Sequence, residues 1–166
     1  MLTEHKTKTE HYFVDEQNRM QGEFKSYFNN GQLWVHTFFI NGTQHGEFKE
    51  YYENGQLYIH SFYQNGNRHG EYNSYYENGQ LCVHLFYQNG KYHGEYNSYY
   101  ENGQLWYHTF YLNRNHHGEY KRYHENGELE NTTFFYQGTD LHVNPDTLTE
   151  KDKVYIMMSG RLPPRD

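Results

Sequence analysis

Apolar and polar side chains alternate along most of this chain, and Asn-Gly interrupts the alternation at regular intervals. In residues 70–93, GEYNSYYENGQLCVHLFYQNGKYH, the runs Glu71 to Tyr76 and Leu81 to Tyr87 both alternate with the period of a β-strand. Asn78-Gly79 between them predicts a hairpin, because a two-residue type I′ turn needs positive φ at both central positions. That register sets Tyr76 opposite Leu81, Tyr75 opposite Cys82, Ser74 opposite Val83, Asn73 opposite His84 and Tyr72 opposite Leu85. One face then carries Tyr72, Tyr76, Leu81, Val83, Leu85 and Tyr87, and the other Glu71, Asn73, Tyr75, Cys82, His84 and Phe86. A longer connection, Gln88 to His93, leads into the next Gly-Glu-Tyr strand and pairs Leu85 with Tyr96.

The unit recurs every 24 residues without insertion. Gly22, Gly46, Gly70, Gly94 and Gly118 align, and so do the turn glycines Gly31, Gly55, Gly79, Gly103 and Gly127 and the leucines Leu33, Leu57, Leu81, Leu105 and Leu129. Five such units, preceded by a half-repeat over 9–21, predict an all-β repeat protein of about 11 strands from residue 9 to residue 136. The architecture expected is a single-layer, twisted antiparallel β-meander of 24-residue hairpins, with each hairpin burying its apolar face against its neighbours. The repeat-bearing domain covers 9–141, residues 1–8 are expected to be flexible, and 142–166 form a C-terminal cap. Within that cap Thr149-Glu150-Lys151-Asp152 reads as a capping box and Gly160 as a stop, placing one short helix at about 149–159, over the open edge of the sheet.

Composition explains what kind of core this is. Leu, Ile, Val and Phe make up 30 of the 166 residues, Ala is absent, and 20 Tyr, 11 Phe and 2 Trp supply the apolar bulk instead. The formal charge is −7, from 14 Lys and Arg against 21 Asp and Glu, which is the wrong sign for a nucleic-acid footprint. No apolar window is long enough to span a bilayer and the first residues lack a signal-peptide core. Cys82 is the single cysteine, so a soluble protein of a reducing cytoplasm is expected, whether bacterial or of a virus-infected host cell.

The Gly-x-aromatic, Tyr-Tyr-x-Asn-Gly-x-Leu and Tyr-x-Asn-Gly spacing over 22–141 resembles the variant MORN repeat, of the kind found in bacterial toxin–antitoxin-type proteins and in giant-virus proteins. The resemblance implies a single-layer sheet of hairpins without catalytic residues, serving protein–protein interaction or self-association. For some eukaryotic members it implies phosphoinositide membranes. Here Gln, Asn, Glu and His stand at most of the usual Lys positions, which argues against a membrane surface. A related alternative is the aromatic-cage repeat that binds choline or glucans; it relies on Trp, of which this chain has only Trp34 and Trp106.

Candidate chemistry is sparse. His36, His60, His84 and His108 recur at one repeat position, but a step of about 9.6 Å between repeats is far too long for a shared metal ion. The Glu row, Glu23, Glu47, Glu71, Glu95 and Glu119, has no cleft in which a carboxyl could be tuned for catalysis. No nucleophile, phosphate-loop or dinucleotide motif occurs, so neither an enzyme, nor a metal, nor a cofactor is expected. What stands out is the mixed face, where Tyr51, Tyr75, Tyr99, Phe62, Phe86 and Phe110 recur as candidate partner contacts, since exposed aromatic surface marks interaction sites. The expected function is therefore a non-catalytic scaffold for a protein partner or a second copy of the chain. The alternatives are binding of a lipid headgroup or carbohydrate, and antitoxin-like neutralisation of a partner. The four His of the same face are candidate pH sensors: protonating all 13 His would carry the formal charge from −7 to +6, and charging the ladder is expected to weaken self-association by repulsion.

Overall fold

A computed structural model describes residues 1–164. It is one antiparallel sheet in which thirteen strands follow each other in chain order: β1 (Thr3–Lys6), β2 (Glu10–Val14), β3 (Met20–Tyr27), β4 (Leu33–Ile40), β5 (Thr43–Tyr51), β6 (Leu57–Gln64), β7 (Asn67–Tyr75), β8 (Leu81–Gln88), β9 (Lys91–Tyr99), β10 (Leu105–Leu112), β11 (Asn115–Tyr123), β12 (Leu129–Tyr136) and β13 (Thr139–Asp140). A 3-10 turn at Pro145–Thr147 and the helix α1 (Glu150–Ser159) follow. The expected open meander with one short helix is what forms, with two strands more than expected. The N-terminal segment expected to fray is β1, paired from Thr3↔Val14 to Lys6↔His11; a strand pair can extend wherever the neighbour leaves its ladder groups open. Of the expected cap, positions 165 and 166 lie outside the described residues.

The two kinds of turn are exchanged relative to expectation. At Asn65-Gly66 and Asn89-Gly90 both residues have positive φ, and Gln64↔Asn67 and Gln88↔Lys91 close two-residue hairpins, so the connection expected to be longer is the tight one. At Asn78-Gly79 only Gly79 has positive φ, +83°. There the Gly79 N–H donates to the Tyr76 carbonyl at 2.9 Å and the Tyr76 N–H to the Gln80 carbonyl at 2.9 Å, enclosing a three-residue loop with Gly in the left-handed position. The Asn is needed for a different reason than supposed: its Oδ1 accepts the Gln80 N–H at 2.9 Å and closes the turn through its side chain.

The change of turn alters the register only near it. Asn73↔His84, Tyr72↔Leu85, Ser74↔Val83 and Leu85↔Tyr96 pair as expected, but Tyr75 meets Leu81 rather than Cys82, and a bulge absorbs the difference. The bulged row, Trp34, Tyr58, Cys82 and Trp106, consequently leaves the mixed face; Trp106, for example, rests against Tyr100 and Tyr107.

The apolar face is the core of this layer. Leu85, Ile59, Ser61, Ser98 and Thr109 are buried along it, and rings from successive strands pack on one another, as in Tyr72–Tyr87, Tyr87–Tyr92, Tyr96–Tyr107 and Tyr107–Tyr120 at centroid separations of 5.1–6.0 Å. Both rows of turns add hydrogen bonds between repeats. The phenols of Tyr52, Tyr76 and Tyr100 donate to the carbonyls of Tyr75, Tyr99 and Tyr123 at 2.7, 2.7 and 2.9 Å. At the opposite rim Gly66 and Gly90 donate their N–H groups to the carbonyls of Gln44 and Arg68.

The helix does not sit on the edge. Its capping box forms at Thr149 and Asp152 as expected, but α1 lies on the mixed face of the last repeats, where Ile156 is fully buried, Lys153 pairs with Glu119, and Met157 shares a cavity with Phe110 and Phe134. The physical reason is that apolar side chains such as Phe134 and Ile156 leave water where the helix lies on a face of the sheet, whereas an edge offers backbone groups and little apolar area.

Candidate interaction face

The mixed face is built from one cross-strand unit. In the third repeat Glu71 pairs with Phe86 and Asn73 with His84; in the fourth Glu95 pairs with Phe110 and Asn97 with His108. Strand alternation puts these four side chains on one side, and the order across the sheet is then Glu, Phe, Glu, Phe at steps of about 4.8 Å. Phe62, Phe86 and Phe110 are 37%, 39% and 41% exposed, whereas Tyr51, Tyr75 and Tyr99 are half-buried, and less exposed than these, between the Glu row and the turns. Burial, and the nearby carboxylates of Glu71 and Glu95, push the Tyr75 and Tyr99 phenols up from their ordinary value, so both remain neutral donors.

Each ladder histidine lies beside the Glu of the neighbouring strand: His36 and Glu23 at 2.8 Å, His60 and Glu47 at 2.9 Å, His84 and Glu71 at 3.3 Å, His108 and Glu95 at 3.6 Å. Each of these rings therefore has a carboxylate within contact distance on the mixed face. Among the described residues no three His, Cys, Asp or Glu side chains converge to hold a metal ion. No described helix is long and apolar enough to cross a membrane.

Three features of the surface escaped the reading of the sequence. The first is that α1 covers part of the mixed face: Phe134, the fifth member of the Phe row, is 2% exposed. The second is an exchange within the repeat. Lys25 and Lys49 pair with Glu23 and Glu47 at 2.8 Å in the first two repeats, and Lys121 with Glu119 at 3.4 Å in the fifth, but Asn73 and Asn97 hold the position in the third and fourth. The hydrogen bond from Lys25 and the contact with His36 together outweigh burial and hold the Glu23 carboxyl below the usual range, and Lys49 and His60 do the same for Glu47. The aligned repeats printed that exchange in plain view, at a position whose partner only the register reveals. The third is Arg68 on the opposite face, its guanidinium 5.0 Å from the Tyr72 ring centroid and donating to the hydroxyls of Tyr63 and Tyr87 at 3.2 and 3.3 Å. Burial pushes the Tyr87 phenol up to about 12 although Arg68 pulls the other way, so this cluster is a packed cation–π site within the layer.

A sheet that is one strand-layer thick, with regular hairpins and a periodic aromatic face, defines a hairpin-repeat protein. The chain belongs to the MORN repeat variant family, whose repeats match residues 20–41, 44–65, 68–91, 92–113 and 117–137. Repeats of this kind are commonly interaction or membrane-binding modules and are generally non-enzymatic. Comparison with curated proteins gives no match.

Proposed function

We propose that the protein is a non-catalytic scaffold that binds another protein through the mixed face of its repeats. The observation that carries this is the difference along one row: Phe134 is buried beneath α1, while its counterparts Phe62, Phe86 and Phe110 remain exposed at the same repeat position. The sheet has thus already used this face for one protein contact, and the rest of the row is free for another. Phe62, Phe86 and Phe110 are its apolar anchors, with Tyr51, Tyr75 and Tyr99 as polar-tipped flanks. The formal charge of −7, and the presence of Asn73 and Asn97 where the other repeats carry a lysine, speak against an anionic membrane as the target.

The test compares the wild type with a Phe62→Ser, Phe86→Ser, Phe110→Ser variant. Both are assayed for capture of proteins from the native cell by cross-linking, and for retention on phosphoinositide vesicles and on immobilised glycans. Protein capture by the wild type alone, with no retention on vesicles or glycans, is expected. Retention on vesicles or glycans by the wild type, with protein capture unchanged in the variant, would overturn the reading.

A further inference from the structure

The intramolecular contact of α1 specifies what the free part of the face would accept. On the fifth repeat the cross-strand pair Glu119↔Phe134 is covered by the helix: Lys153 pairs with Glu119, and three residues further on Ile156 is fully buried. Burial works against the Glu119 charge, but the hydrogen bond from Lys153 and the charges of Lys121 and Lys153 prevail and keep it ionised. The pattern Lys-x-x-Ile of a helix thus answers the pattern Glu-Phe of the sheet.

The same sheet pattern is repeated, uncovered, in the third and fourth repeats. There Asn73 and Asn97 give Glu71 and Glu95 one hydrogen bond each, at 3.0 Å, but no charge, and the two carboxylate side chains are 47% and 44% exposed against 33% for Glu47, which has its Lys. Beside the helix, an apolar cavity of about 420 Å³ opens between Met157, Phe134, Leu112 and Phe110, so the covered and uncovered parts of the face form one continuous surface. The spacing is also suited to a helix. Glu71, Phe86, Glu95 and Phe110 follow at about 4.8 Å per strand, and three to four residues of α-helix advance about 4.5–6 Å.

Resting on the reading of the mixed face as a protein-binding surface, we infer that the third and fourth repeats bind a basic amphipathic helix of a partner protein, with Lys or Arg seven residues apart on Glu71 and Glu95 and apolar residues between and after them on Phe86 and Phe110. Repeats one and two are closed to such a cation because Lys25 and Lys49 hold their carboxylates at 2.8 Å, whereas in repeat five Lys121 stands 3.4 Å from Glu119 and is shared with Asp146, which leaves Glu119 able to take Lys153 as well. Repeat five is closed because α1 fills it.

The test is a display library of 18-residue amphipathic helices selected against the full-length chain, followed by titration of the enriched peptides. Enriched sequences are expected to carry Lys or Arg at a spacing of seven residues. Their affinity is expected to fall at least tenfold in an Asn73→Lys, Asn97→Lys variant, which places in repeats three and four the residue that repeats one, two and five tolerate, and to fall similarly with Phe86→Ser. Peptides with Glu in place of Lys are expected not to bind. Failure to enrich any helix, enrichment of acidic or uncharged sequences, or equal binding by the Asn73→Lys, Asn97→Lys variant would overturn the inference. So would a Phe86-dependent dimer in sedimentation of the chain alone, since a second copy would then be the occupant. Acidic or uncharged peptides that still depend on Phe86, or such a dimer, would leave the mixed face an interaction surface and refute only its preference for a basic helix.

Discussion

At Gly79 the backbone has φ +83°, and a Cβ built there would lie 3.1 Å from the Gln56 side-chain oxygen of the previous repeat. Gly79→Val therefore meets both the left-handed backbone and a neighbour, while Lys91→Ala changes an exposed side chain. The first is expected to cost about 1–3 kcal/mol and the second less than about 0.5 kcal/mol in denaturant unfolding; equal midpoints would contradict the turn as described. Titration gives a second expectation at this scale. Burial pulls the imidazoles of His116 and His117 below their ordinary value. His116 faces the hydroxyls of Thr109 and Tyr111 and the rings of Tyr120 and Phe135, and His117 packs on Tyr136 and accepts the Gln137 N–H, with no carboxylate in either set. The folded chain then binds fewer protons there than the unfolded chain, so this stability is present above the unfolded His value of about 6.5 and is lost as pH falls through it. The thermal midpoint is expected to drop between about pH 7.5 and about pH 5.5, and to drop less in a His116→Gln, His117→Gln variant. An unchanged pH profile in that variant would show that these two rings do not stay neutral.

Elements were legible where a periodic pattern reports a backbone preference, and obscure where one dipeptide serves two geometries. Strand positions such as Tyr72, Val83 and Leu85 follow from alternation alone, because a slip of one residue would turn the whole apolar set to water. Asn-Gly did not distinguish its two turns: at 89–90 both residues are left-handed, while at 78–79 the Asn spends its side chain on the Gln80 N–H instead. The helix was legible as a helix through its capping box, but its docking site was not, since nothing in the local sequence tells Ile156 which face of the sheet will cover it. Truncating that side chain gives the prediction for this scale. Ile156→Ala is expected to cost about 2–4 kcal/mol if α1 is integral to the fold, and to raise the solvent exposure of Phe134 in hydrogen exchange or chemical labelling. A loss of less than about 0.5 kcal/mol would mean that the helix is detached in solution.

Among the described residues every strand pairs in the sheet only with its predecessor and successor, and the turns add bonds between repeats 24 residues apart. Stability is therefore close to a sum over hairpins and their neighbours. Deleting residues 70–93 as a unit is expected to leave a folded chain with the same far-UV spectrum per residue and a smaller denaturant slope, in proportion to the area lost. Unfolding on deletion would mean that the repeats are not interchangeable. At this scale the sequence showed a face with aromatic rows and a candidate role for it. The uneven use of that face appears only when the strands are paired, because pairing shows Glu71 and Glu95 without the Lys that serves Glu23 and Glu47.

The use of the mixed face for protein contact is tested most directly by a photo-crosslinking side chain placed in the native cell at Phe86, with the same group at Tyr92 on the opposite face as its control. The two positions are matched in exposure, 39% and 37%, so accessibility alone cannot separate them. A discrete protein adduct from position 86, lost when Glu71 and Glu95 are changed to Gln, and none from position 92, is the expected result. An adduct from position 92 with none from position 86 would place binding on the other face of the sheet and contradict the account.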